Sequence, residues 1–186
     1  MKNRLKNFDD YFINLINSKI KNKYLDVFMY RITDVGGAFF ISIFTLSLVI
    51  FGTTRNKLVG IEALISLGIS QIIVHSLKRL LSRERPYKII EQLHTFGIDL
   101  SDYSFPSGHT TASFSLATTL SLSMPRFTIY VLLLALIIAI SRIYLGVHYP
   151  TDVAAGIILG VGSAIVVNLY LIRLVGIIAT FIGVNE

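Results

Sequence analysis

Five apolar stretches govern what this chain can become: residues 35–51, 58–77, 110–124, 127–145 and a fifth that starts near Thr151. Crossing roughly 30 Å of hydrocarbon takes about 20 residues at about 1.5 Å each, and these stretches reach or approach that length. Lipid offers no partner to an exposed backbone N–H or C=O, so such runs cross as helices. Composition agrees: 53% of the 186 residues are hydrophobic, 15% are charged and the mean hydropathy is +0.68, a surplus that a soluble core could not use. The expected fold is all-α, a polytopic membrane helix bundle with about five transmembrane helices.

The segments between the spans carry the polar residues. Phe8, Tyr11, Phe12, Leu15, Ile16 and Ile20 recur with helical period and predict an amphipathic helix. Too polar to span, it is expected to lie in the membrane interface, the alternative being a helix packed on the protein's own surface. The first seven residues are polar and charged with no apolar run after them, so no cleavable signal peptide is expected. Glu62 and His75 lie near opposite ends of the second span, where side chains reach the interface; Glu62 is read as structural and His75 as an interfacial histidine, the alternative being that it touches the site one turn before Lys78. Residues 78–106 turn polar and read as an extramembrane loop. The third span is rich in Ser, Thr and Ala, and Gly156, Gly160 and Ala164 follow at four-residue spacing in the fifth, a pattern for close helix contact. Beyond Arg173 the tail either prolongs the fifth helix or turns back along the interface. The organisation expected is one domain over 1–186: an interfacial helical region at 1–33, two spans at 34–77, a loop at 78–106 and the remaining spans at 107–186.

With no cysteine there is no disulfide, thiolate metal site or cysteine nucleophile. The net charge of +6 gathers at the ends of the apolar runs, where lipid headgroups or a phosphate would meet it, and no nucleic-acid partner is expected.

Counting crossings puts three polar groups on one face. The first is Lys78-x6-Arg85-Pro86, two cations almost two helical turns apart, which share a helix face if the helix runs up to the proline. A basic juxtamembrane cluster with Arg79, Arg83 and Lys88 is the plain alternative. The second is Pro106-Ser107-Gly108-His109 at a helix entrance, where free backbone N–H groups favour an anion. The third is Ser141-Arg142-x5-His148-x3-Asp152. Its carboxylate is close enough to hold the imidazole and fix its tautomer, and Gly146 is expected to break the helix so that Arg142 and His148 converge.

Together these groups resemble the three-part signature of the type 2 phosphatidic acid phosphatase superfamily, with every motif residue present and in order. The resemblance implies a metal-independent membrane phosphatase with no cofactor. His148 would be the nucleophile, Asp152 its orienting carboxylate and His109 the acid for the leaving group. Lys78, Arg85, Ser107, Gly108 and Arg142 would hold the phosphate. The partners implied are a lipid phosphate and the bilayer, and oligomeric state is not fixed. Small size and the N-terminal helix resemble the undecaprenyl diphosphate phosphatases, with phosphatidate or phosphatidylglycerol phosphate as alternative substrates. The tail is expected to enter past the small residues of the third and fifth spans. Competing readings are a metal hydrolase on His109, His148 and Asp152, a vanadate haloperoxidase, and a non-catalytic transporter or lipid-binding protein.

Topology is contested within the sequence. All but Arg55, Lys57, Arg126 and Arg173 of the 17 Lys and Arg lie on the side that carries the motifs, a bias that places that side in the cytoplasm. The resemblance implies the opposite: a multi-pass cell-membrane protein whose site faces the extracellular or periplasmic side.

Overall fold

The computed structural model describes residues 2–184, so the outermost ends of the expected domain, residues 1, 185 and 186, lie outside the described residues. The chain is helical throughout: α1 (Lys2–Asn14), a π turn (Leu15–Lys19), α2 (Lys23–Val35), α3 (Ala38–Phe51), α4 (Thr54–Leu81), the short α5 (Pro86–Ile89), α6 (Gly108–Ser123), α7 (Thr128–Tyr144), α8 (Pro150–Tyr170) and α9 (Ile172–Phe181).

Among the described residues, three helical stretches are long and apolar enough to cross a membrane: 54–89, 125–144 and 150–170. The pair α2–α3, bent by 50° at Gly36–Gly37, supplies a fourth when taken as one span. The five helices read from the sequence are all present, and the difference in count rests on α6. Its 16 residues rise only about 24 Å, and its Ser and Thr side chains lower its hydropathy. Its surroundings compensate. Thr110, Thr111, Ala112, Ser113, Phe114, Ser115, Ala117, Thr118 and Thr119 are buried, because α4, α7 and α8 pack around it.

Small residues set how closely α6 and α8 approach. A Cβ on Gly160 would stand 2.5 Å from the Thr111 carbonyl oxygen, and one on Gly156 would stand 2.9 Å from that of Ser107. Backbone therefore meets backbone here, and hydroxyls add a second adhesive: Ser66 and Ser115 share a buried hydrogen bond of 2.7 Å between α4 and α6. Glu62, buried, accepts from Asn168 Nδ2 at 2.9 Å, joining α4 to α8. The α6–α8 seam leaves no room for a lipid tail, which corrects the route expected from the sequence. An apolar cavity of about 130 Å³ lies instead between α3, α6 and α7, lined by Phe40, Phe44, Leu116 and Leu134.

The tail beyond Arg173 does not prolong α8. The helix stops at Leu171 and α9 folds back on α4, where Val175 and Ala179 join Ile61 and Val167 in a small core.

The amphipathic N-terminal helix packs one face on the protein itself and leaves the other exposed. Asp9, Ile13 and Asn17 are buried against the rest of the chain, while Phe8 and Tyr11 stay exposed. Asn17 fixes the π turn: its Nδ2 donates to the Tyr144 carbonyl at 2.7 Å and to that of His94 at 3.0 Å, and its Oδ1 accepts from the His94 N–H at 3.0 Å. Elsewhere the exterior is greasy, with Phe39, Phe51, Ile129, Tyr130, Ile158 and Ile177 exposed along the helices. That belt is what a protein integral to a membrane presents to hydrocarbon.

Replacing Gly160 by Val should open the α6–α8 seam and cost about 1–3 kcal/mol, the usual penalty of overpacking. Gly162→Ala, whose Cβ would meet nothing within 4 Å, should be close to neutral. Thermal unfolding in detergent distinguishes them, and equal midpoints would refute the close-contact account.

Candidate active site

The first and third motifs reach the site by a break in a helix, and the second opens α6. α4 ends at Leu81, Ser82 takes the left-handed conformation (φ 45°) and Arg85 is extended (φ −77°, ψ 149°) ahead of Pro86. The helix therefore does not run on to the proline, and the expectation that Lys78 and Arg85 share one helix face is corrected. The turn brings them together instead, on Asp102: Lys78 Nζ donates to Oδ2 at 2.6 Å and Arg85 Nη2 donates to Oδ1. Backbone carbonyls complete their surroundings. Lys78 also donates to Tyr103 at 2.6 Å, and Arg85 donates to Asp102 and Val147, each at 2.9 Å.

α7 ends at Tyr144 and Gly146 adopts φ +68°, a conformation that favours glycine. The chain doubles back so that the N–H groups of Val147 and His148 both donate to the Arg142 carbonyl at 3.2 Å. Arg142 and His148 then line one cavity of about 180 Å³ with Lys78, Arg85, Gly108 and His109. His75 and Gln71 line it as well, so His75, read as an interfacial residue, belongs to the cavity wall.

Two of the expected residues stand behind that wall. Ser107 is fully buried: its Oγ accepts from Thr110 Oγ1 at 2.9 Å, and its N–H donates to the Asp152 carbonyl at 3.1 Å. Its place in the structure ties α6 to α8. Asp152 lies behind His148, but not in direct hydrogen-bond contact, since Nδ1 and Oδ2 are 3.7 Å apart. Ser104 fills the interval. Its hydroxyl donates to Asp152 Oδ2 at 2.5 Å and stands 3.4 Å from His148 Nδ1, so it can accept from an Nδ1–H. On the other ring edge Nε2 faces Arg85 Nη1 at 3.2 Å, which suits an unprotonated nitrogen.

Ser104 and Arg83 are contributors that sequence reasoning missed. Ser104 lies two residues before a recognised motif and carries no pattern of its own. Arg83 was grouped with the surface cations. Its Nη1 donates to Asp152 Oδ1 at 2.5 Å and to Thr151 Oγ1 at 2.8 Å, its Nη2 donates to Asp9 at 2.7 Å, and its guanidinium stacks 3.9 Å above the Tyr149 ring.

The cavity's electrostatics follow from these contacts. Lys78, Arg85 and Arg142 bring three positive charges and Asp102 returns one negative. The remainder matches in magnitude the charge of a phosphate monoester dianion. Arg142 is buried, its Nη1 donates to Thr33 Oγ1 at 2.8 Å, and its Nε has no hydrogen-bond partner, an uncommon state that a ligand oxygen would relieve. Burial, followed by the positive charges of Arg142, Arg85 and Lys78, pushes the His148 pKa well below its ordinary value, which favours the neutral imidazole. Burial alone would raise the Asp102 pKa, but the hydrogen bond from Lys78 and the charges of Arg85 and Lys78 outweigh it and bring the value down to about 2. Among the described residues, no three His, Asp or Glu side chains are grouped as metal ligands would be.

Comparison with known proteins places this arrangement. The sequence matches the PAP2 superfamily over residues 60–175. It is 38% identical over 115 residues to the bacitracin transport permease protein BcrC of Bacillus licheniformis, covering 62% of this chain and 57% of that protein. It is 35% identical over 117 residues to an undecaprenyl-diphosphatase of Sulfolobus acidocaldarius, covering 62% of this chain and 56% of that one. The match thus spans little more than half the length of these curated relatives. Among solved structures, the transmembrane PAP2-type phosphatidylglycerolphosphate phosphatase from Bacillus subtilis superposes with a TM-score of 0.76 at 25% identity, covering 92% of this chain and 88% of that one.

In protein labelled with ¹⁵N-histidine, the His148 ring signals, assigned by their loss in His148→Gln, should be those of a neutral imidazole at pH 6.5 and should titrate only well below it. A midpoint at or above 6.5 would contradict the electrostatic account.

Proposed function

Because the chain belongs to the PAP2 superfamily, we propose that it is a metal-independent phosphohydrolase of the membrane, which cleaves a lipid phosphate or diphosphate through a phosphohistidine on His148. The observation that carries this reading is the convergence of a neutral, buried imidazole with three cations on one small cavity.

Each residue has a part in the reaction. The phosphoryl oxygens take the donors of Lys78, Arg85 and Arg142 and the start of α6 at Gly108, which neutralise the charge that metal ions neutralise in other phosphoryl-transfer sites. The bound phosphoryl dianion offsets the neighbouring cations and lets His109 take up a proton; His148 Nε2 then attacks phosphorus in line, the P–O bond to the leaving group breaks, and His109 passes that proton to the departing oxygen. The resulting imidazolium keeps its Nδ1–H on the Ser104 hydroxyl, which passes the interaction to Asp152. Water then attacks the P–N bond with His109 as base, releasing inorganic phosphate and restoring Nε2. In this scheme Ser107 and Asp152 act from behind, holding α6 and His148 in position.

For substrate we favour a polyisoprenyl diphosphate, in keeping with the name of the Sulfolobus relative. The B. subtilis structure carries another named activity on the same fold, so a glycerophospholipid phosphate is the second reading. The apolar cavity between α3, α6 and α7 has room for only a short part of a lipid chain nearest the phosphate, and its lining residues Val35 and Ser113 are chain neighbours of Gly36 and Ala112 in the polar cavity. We place the site on the outer face of the cell membrane.

Purified in detergent with excess chelator, the protein should release phosphate from polyisoprenyl diphosphate faster than from phosphatidate or phosphatidylglycerol phosphate. His148→Ala should lower the rate by about 10³-fold or more, and acid-labile, alkali-stable phosphate should be trapped on the wild type alone. Loss of activity in chelator, or full activity in the variant, would sink the mechanism. The sequence has no cysteine, so Glu91→Cys on the exposed loop provides a clean topology probe. Labelling of intact cells by an impermeant maleimide should succeed, and protection would place the site inside.

A further inference from the structure

Asp102 belongs to none of the three motifs, yet it occupies two of the cations assigned to the phosphate. Its Oδ2 sits 2.6 Å from Lys78 Nζ and its Oδ1 accepts from Arg85 Nη2, inside the cavity that also holds Arg142, His109 and His148. Two anionic oxygens, one on each cation, reproduce what two phosphoryl oxygens require. The cations do not depend on this carboxylate for their position. Lys78 is also held by the Tyr103 carbonyl, and Arg85 by those of Asp102 and Val147, so the main chain fixes both nitrogens. The Asp102 side chain is half exposed, at 49%, and stands on a loop outside the helices, so rotation about its χ1 takes it off the cations without moving the bundle. Among the described residues Arg142 has no ion-pair partner and its Nε no hydrogen-bond partner, which leaves an open landing point beside the occupied pair.

We propose, resting on the phosphate-binding reading above, that Asp102 is an internal competitor of the phosphoryl group. Its carboxylate holds Lys78 and Arg85, yields them to the substrate's oxygens, and returns to displace inorganic phosphate after hydrolysis. A dianion and a carboxylate crowded onto the same two cations repel each other, so the exchange weakens binding of substrate and product alike. The residue tunes affinity and turnover and takes no part in bond making. Its signature is opposite to that of an ordinary binding residue: removing its charge strengthens binding.

Asp102→Asn keeps the shape and drops the charge. Inorganic phosphate, titrated calorimetrically into detergent-purified protein, should bind about tenfold tighter to Asp102→Asn than to wild type, and KM for polyisoprenyl diphosphate should fall by a similar factor while kcat drops as product release slows. Asp102→Glu should stay near wild type. Unchanged or weaker phosphate binding, in a variant whose thermal unfolding matches wild type, would overturn the proposal and leave Asp102 as a brace for the loop. Should Asp102→Asn not fold, Asp102→Ser is judged by the same two outcomes. The calorimetric arm needs no turnover. Tighter phosphate binding without lipid hydrolysis by the wild type would sink the phosphatase reading alone, whereas hydrolysis with unaltered phosphate binding would sink the competitor alone.

Discussion

Three cations have to be held together, away from bulk water, at the edge of a hydrocarbon slab, and much of the structure answers that demand. Desolvating a charge is costly, and bringing like charges together adds to the cost. The chain answers with oriented carbonyls and one carboxylate. Arg85, only 2% exposed, is surrounded by the carbonyls of Asp102, Tyr103 and Val147, and each of these sits on a segment that a helix break has turned inward. The breaks at Ser82 and Gly146 are thus part of the electrostatics, since an unbroken helix would spend those carbonyls on its own N–H groups.

The same demand explains why α6 is short, polar and central. A helix that begins at the site and carries small hydroxyl side chains lets α8 come within backbone contact, which sets Asp152 beside the His148 turn. An apolar helix of full spanning length would read more clearly in a hydropathy profile, but bulky side chains at Thr111 and Ser115 would keep α8 away. Burial by neighbouring helices takes the place of hydrophobicity.

What could be read from the sequence followed from this physics. The long apolar runs announced α4, α7 and α8, and glycine at 146 with a histidine two residues later announced the turn that folds His148 towards Arg142. What stayed hidden depends on contacts far apart in the chain. Ser104 inserts between His148 and Asp152 because of how residues 99–105 cross the site, and no local period records that path. Arg83 looked like one more surface cation until Asp9 and Asp152 were placed on either side of it. The small residues of α6 and α8 are ambiguous for a related reason: they mark either a close seam or a gap, and only the distance between the helices tells which.

The docking of the N-terminal helix carries a consequence for how the protein is assembled. Asp9 bonds to Thr151 across 142 residues and Asn17 to Tyr144 across 127, so α1 has to wait for the start of α8 to be made before it finds its partners. At a synthesis rate of about 5–20 residues per second that delay lasts on the order of ten seconds, during which the bundle inserts around an undocked leader. The amphipathic face, with Phe8 and Tyr11 outward, is suited to wait on the bilayer surface through that interval. Because Asp9 closes on the same Arg83 that holds Asp152, the arrival of α1 and the completion of the support behind His148 are a single event. The site is complete only once α1 has docked.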